Sequence, residues 1–181
     1  MKYFIYGVPG SGKSYIGKIL SDKLGYPYFE VDALKRELQL ASIKEEDPFV
    51  FLGTCQAYKY FGNRNKENIK KGLTAVRGAL LNSINNEIKK HKSLVLEGAF
   101  LDPTSLLNEE DSRIVLVVVR DEDQHKKQFF SDREENEENK DEFLVARIVQ
   151  DLLLEEASTL KGVIILENSA ISLDDFISNL N

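Results

Sequence analysis

Six consecutive residues, Ile114-Val115-Leu116-Val117-Val118-Val119, constrain the fold of this chain more than any other stretch. They are apolar, mostly β-branched, and show no alternation with polar residues. A strand built from them must be buried on both faces, as in the centre of a parallel sheet. Shorter apolar runs surround it in sequence. Lys2–Tyr6 reads as a buried strand ended by Gly7 and Pro9, Tyr26–Val31 as a second, Ser93–Leu96 as a third closed by Glu97-Gly98, and Val163–Leu166 as a fifth. Helical patterns separate them. Ser14–Leu24 carries Ile16, Ile19, Leu20 and Leu24 at helical spacing, with Gly25 as a natural stop. A helix is expected at Ala33–Leu40, and helical pieces joined by loops at 41–65. Glu67–Lys90 predicts a long amphipathic helix, with Ile69, Leu73, Val76, Leu80, Ile84 and Ile88 on one face. Further helices are expected from Glu122, at Phe143–Leu160 and at Ser172–Leu180, with the almost wholly polar run Ser131–Glu142 between the first two.

Strands alternating with helices imply right-handed βαβ units and a parallel sheet covered on both faces. With 181 residues and no linker or repeat, one domain spanning 1–181 is expected. The net charge of −6 argues against broad, salt-driven binding to nucleic acid or an anionic membrane. The apolar run Tyr3–Tyr6 is too short for a signal peptide, and no segment reaches the roughly 20 apolar residues that span a bilayer, so a cytoplasmic location is the expectation. Cys55 is the only cysteine, which excludes an internal disulfide, and its apolar-aromatic surroundings predict a small buried hydrophobe. His91 and His125 without a Cys/His cluster give no zinc site.

Gly7-Val8-Pro9-Gly10-Ser11-Gly12-Lys13-Ser14 fits G-x-x-x-x-G-K-[ST] at every fixed position, between a strand and an amphipathic helix. The glycines let the backbone approach phosphate oxygens, and their N–H groups form an anion-binding nest. The helix that follows adds its positive end. Residues Gly7 to Ser14, with Tyr15, are therefore the expected ATP site. Lys13 would bridge the β- and γ-phosphates and Ser14 would ligate Mg²⁺. A dinucleotide site fails on spacing, because the third glycine of G-x-G-x-x-G would fall at Tyr15. A GTPase fails as well. Asp22-Lys23-Leu24-Gly25 ends a helix, and Asn65-Lys66-Glu67-Asn68 lacks the aspartate of N-K-x-D.

Carboxyl ends of parallel strands line the ligand crevice of such a sheet. Asp32 at the end of the second strand is either a functional carboxylate, which takes the acceptor hydroxyl's proton or helps to hold Mg²⁺, or a plain helix N-cap. Glu97 at the end of the third resembles the acid that assists Mg²⁺, against a solvated strand-end carboxylate. Gly98 would allow a ligand close to the backbone, and Lys35 and Arg36 would either hold an anionic acceptor or be ordinary surface cations of the helix. The polar run is either a solvated loop or a mobile lid near 122–142 that delivers Arg133, helped by Arg120 or Arg147. Asp32, Lys13 and Arg133 are the expected catalytic set, and 33–65 the acceptor-binding insertion.

The stretch from Leu24-Gly25-Tyr26-Pro27-Tyr28-Phe29 to Asp32 resembles small-molecule kinases of the nucleoside-monophosphate-kinase fold. Ile69–Ile84, Leu94-Val95-Leu96-Glu97-Gly98-Ala99-Phe100-Leu101-Asp102-Pro103, Val118–His125 and Ala146–Asp151 resemble the archaeal-type 2-phosphoglycerate kinases. The resemblance implies a three-layer P-loop NTPase fold with a five-stranded parallel sheet ordered 2-3-1-4-5. It also implies ATP, Mg²⁺ and transfer of a γ-phosphoryl group to a small acceptor, 2-phosphoglycerate in that family. A nucleoside or sugar-acid kinase, and a nucleotide-binding regulator without transferase activity, are the alternatives. A small-molecule acceptor, no nucleic acid, no membrane, and a monomer or homodimer complete the expectations.

Overall fold

The computed structural model describes residues 1–168; the helix expected at Ser172–Leu180 lies outside them. Five strands form one sheet: β1 (Lys2–Tyr6), β2 (Tyr28–Glu30), β3 (Leu94–Glu97), β4 (Ser112–Val118) and β5 (Val163–Glu167). All pairings are parallel and the order is β2-β3-β1-β4-β5, as expected. The helices are α1 (Lys13–Leu24), α2 (Val31–Ala41), α3 (Pro48–Phe51), α4 (Lys66–Lys90), α5 (Pro103–Leu106), α6 (Glu122–Phe129) and α7 (Glu137–Thr159), with a 3₁₀ turn at Ala57–Tyr60.

Alternate strand residues feed two cores, the direct outcome of a period of two along each strand. Phe4, Leu96, Leu116 and Val118 join α4 and α7 through Val76, Leu80, Val149 and Leu153. Tyr3, Ile5, Val95 and Val117 pack on the opposite face with Ile16 and Leu20 of α1. Helices thus cover both faces of the sheet, the three-layer P-loop arrangement. From Val115 to Val119 the central strand region is fully buried, which is why that run shows no polar alternation. Arg77 of α4 meets Glu156 of α7 through two parallel hydrogen bonds of 3.0 Å, fixing the two long helices to each other.

Two sequence expectations are corrected. Val31 belongs to α2 and not to the second strand. Its buried side chain packs against Gly98, so β2 ends at Glu30. The polar run Ser131–Glu142 is not a loop throughout, because Glu137–Glu142 forms the start of α7. Asn136 accepts a hydrogen bond from the Asn139 N–H, and Glu137 and Glu138 sit where the helix dipole favours negative charge. Polarity there reflects capping. Only the connection 131–136 stays irregular.

Candidate active site

The chain leaves β1 at the carboxyl edge of the sheet and turns through the glycine-rich loop into α1. Gly10 and Gly12 have φ of 78° and 86°, a left-handed conformation that side chains resist. A Cβ on Gly10 would also lie 2.9 Å from the backbone of Phe129, so α6 presses directly on the loop. Gly12 is the N-cap of α1 and supplies no side-chain cap, leaving the first-turn N–H groups to meet an anion.

The loop is braced from behind. His125 Nε2 lies 2.9 Å from the Pro9 carbonyl, and Asn168 Nδ2 donates to the Ser11 carbonyl at 2.9 Å. In a trans peptide the N–H points opposite to the C=O. Holding those two carbonyls therefore aims the Gly10 and Gly12 amides the other way. His125 is fully buried and receives Arg147 Nη1 at its Nδ1, 3.3 Å away. A carbonyl only accepts and a guanidinium only donates, so the ring carries its proton on Nε2 and is neutral. Burial, first, and the nearby Arg147 push its pKa down, against the pull of the Pro9 hydrogen bond and Glu122.

A cavity of about 850 Å³ opens beside the loop. Pro9, Gly10, Gly12, Lys13, Ser14 and the 65% exposed Tyr15 reach it, while Gly7, Val8 and Ser11 lie behind them. Asp32 lines the cavity from the first turn of α2. It is not the N-cap, which is Glu30, so the capping role is unnecessary for this aspartate.

Glu97 ends β3 next to the loop because Ile5 and Glu97 are paired in register. It is 2% exposed, and its Oε1 accepts from Ser14 Oγ at 3.0 Å and lies 3.3 Å from Tyr28 Oη. Burial raises its pKa, with Lys13 and Ser14 acting against it. Its Oε2 is buried and has no hydrogen-bond partner among the described residues. A hydroxyl, a carboxylate and an unsatisfied carboxylate oxygen side by side suit a hard divalent cation, so these residues fit Mg²⁺.

Among the expected acceptor residues, Lys35 lines the cavity, but its Nζ donates to the Leu52 carbonyl at 2.7 Å and sits 4.6 Å from the Phe100 ring centre. Arg36 is exposed and not part of the wall, since one residue further along a helix is turned about 100° away. Gly98 is also not in the wall. A Cβ there would lie 2.6 Å from Val31 Cβ, so this glycine serves packing of β3 on α2, and its N–H pairs with the Ile5 carbonyl. Arg133 does line the cavity, bonded to the Phe129 carbonyl at 2.8 Å. The expected helpers do not: Arg147 is held by the Val119 and Arg120 carbonyls, and Arg120 pairs with Glu167.

Several wall residues carry no sequence signal: Thr54 and Gln56 from the segment after α3, Lys127 and Gln128 from α6, and Glu142 from α7. Cys55 is buried, as expected, and burial pushes its thiol up to about 12, which leaves it unreactive.

A family model described as an AAA domain matches residues 4–150. No curated protein matches the sequence. Among solved structures, shikimate kinase from Bacteroides thetaiotaomicron is similar with a TM-score of 0.59 at 17% identity, covering 99% of this chain and 96% of that one. TT1252 from Thermus thermophilus gives 0.57 at 19% identity, covering 99% and 95%. Deoxyadenosine kinase from M. mycoides with bound dATP gives 0.53 at 16% identity, covering 99% and 97%. At these identities the likeness is one of fold.

Proposed function

The chain belongs to the AAA domain family, and from that premise we propose that it is an ATP-dependent kinase transferring the γ-phosphoryl group to a hydroxyl of a small acceptor. One observation carries this reading: a phosphate-binding loop and a carboxylate from the next strand-helix junction, Asp32, line the same cavity. Its volume of about 850 Å³ suits small molecules.

Lys13 and the loop amides would hold the ATP phosphates, and Arg133 would offset charge on the transferring group. Ser14 and Glu97 would hold Mg²⁺, which when bound neutralises the β- and γ-phosphate oxygens. Asp32 would orient the acceptor hydroxyl and take its proton. The connection 131–136, which carries Arg133, is the segment best suited to act as a lid. Resemblance of the sequence to 2-phosphoglycerate kinases suggests that acceptor. The neighbours named for shikimate and deoxyadenosine favour the alternative, a sugar-acid or nucleoside kinase.

Calorimetry with Mg·ATP and a coupled assay of acceptor-dependent ADP release test the proposal. Lys13→Ala should lower turnover on the order of 10²-fold or more. Near-normal turnover in that variant would remove Lys13 from the mechanism. Nucleotide uptake without ADP release across a broad acceptor panel would make the chain a nucleotide-binding regulator instead.

A further inference from the structure

Resting on the kinase reading above, we propose that the acceptor carries no negative charge. It is an uncharged or cationic molecule with hydroxyl groups, alone or with an amine, and Glu142, held by Gln56, selects it.

Among the described residues the cavity wall carries three carboxylates, Asp32, Asp132 and Glu142. Asp132 lies 3.6 Å from the neighbouring Arg133, which leaves Asp32 and Glu142 against one ammonium, Lys35, away from the phosphate loop. That ammonium is partly committed. Lys35 is 8% exposed, donates to the Leu52 carbonyl and lies over the Phe100 ring, and burial holds its pKa below the ordinary value. The other cations in the wall are Lys13 on the loop, Lys127 on α6 and Arg133 just beyond it. On the kinase reading these three, on or beside the loop, would offset the charge of the triphosphate. An acceptor bearing a carboxylate or phosphate would therefore enter beside two like charges, with Lys35 as the nearby cation and part of its hydrogen-bonding capacity already used.

Glu142 is held in place. Gln56 Nε2 donates to its Oε1, and the preceding Asp141 accepts from Tyr58 Oη at 2.7 Å and from Arg64. Three contacts thus pin the start of α7 to the segment 56–64. A carboxylate accepts several hydrogen bonds, so the one from Gln56 leaves capacity for a ligand hydroxyl or ammonium. Phe100 adds an aromatic surface for a carbon skeleton.

In the transfer itself the acceptor oxygen forms a bond to the γ-phosphorus as the bond from that phosphorus to the β–γ bridging oxygen breaks. ADP departs with the electron pair, and the hydroxyl proton passes to Asp32 and then to solvent. Glu142 takes no part in bond making. It binds the acceptor's other polar groups and so acts on specificity.

The test measures Mg·ATP uptake by calorimetry, then ADP release with deoxyadenosine, glucose and glucosamine against gluconate, shikimate and 2-phosphoglycerate. Release with at least one of the first three and none of the last three is the expected result. For the active acceptor, Glu142→Gln should raise KM about tenfold or more with kcat within about threefold, while Mg·ATP affinity and melting temperature stay at the wild-type level. Gln56→Ala, which frees Glu142 without removing it, should raise KM by a smaller factor. Preferred turnover of an anionic acceptor, or an unchanged KM in both variants, would overturn the inference while leaving the kinase reading in place. Mg·ATP uptake with no turnover of any of the six, or no Mg·ATP uptake by folded protein, would remove the kinase reading, and this acceptor with it.

Discussion

The Ser14 hydroxyl donates to Glu97 Oε1 at 3.0 Å, joining the second residue of α1 to the last residue of β3. The bond follows from the parallel pairing of β1 with β3, which brings their carboxyl ends level. Glu97 Oε2, buried and without a hydrogen-bond partner among the described residues, is accounted for if Ser14 and Glu97 hold Mg²⁺ as proposed.

Glu97→Gln should separate metal binding from stability. Removing a buried carboxylate whose pKa is raised should leave stability unchanged or increase it by about 1 kcal/mol. The same change should weaken Mg²⁺-dependent activity by roughly 10–100-fold. Chemical denaturation and a Mg²⁺ titration of ADP release measure the two effects. Lower stability with full activity would assign Glu97 to the core.

Asp32→Asn should collapse turnover while calorimetric Mg·ATP affinity stays within a few-fold. Asp32 lines the cavity from α2, apart from the phosphate loop, so its effect belongs to the acceptor step. Weaker ATP binding at unchanged kcat would move it to ground-state binding.

His125 makes stability depend on pH. Its folded pKa is depressed below 6.5, mainly by burial. Below that value an unfolded chain binds a proton that the folded ring refuses. Stability should therefore fall as pH drops through about 6.5 and level off once the folded ring itself protonates. Arg147 opposes the proton, and Glu122 favours it. Glu97 contributes with the opposite sign, because its raised pKa makes the folded state the better proton acceptor. The informative quantity is thus the difference between wild type and His125→Gln. Their melting temperatures should converge as pH falls from about 7.5 to 5. Parallel curves would exclude His125 from the linkage.

Gly98→Ala should destabilise the protein by about 1–3 kcal/mol through overpacking against Val31. Normal stability with lost activity would show that Gly98 serves ligand approach after all.

The phosphate loop was legible because all its chemistry is contiguous. Eight residues between a strand and a helix contain the turn, the amides, Lys13 and Ser14. The strand order followed from the resemblance, and the two buried faces from the unbroken apolar run at Ile114–Val119. Asp32 and Glu97 were singled out because strand ends are where ligands collect in a parallel sheet, and the structure places Asp32 in the cavity wall and Glu97 against Ser14. Gly98 and Arg36 were misplaced for local reasons, the one consumed by contact with Val31 and the other turned outward on α2.

His125, Asn168, Gln56 and Glu142 could not be found in that way. His125 is 116 residues from the carbonyl it holds, Asn168 is 157 from its own, and Gln56 is 86 from Glu142. Periodicity and local motifs carry information over a turn or a strand, which sufficed for the elements and the phosphate cradle. Which side chains brace that cradle, and what charge lines the rest of the cavity, depends on how α6, α7 and β5 pack around it. Only the tertiary structure decided that, because those contacts arise from docking surfaces whose partners are far apart along the chain.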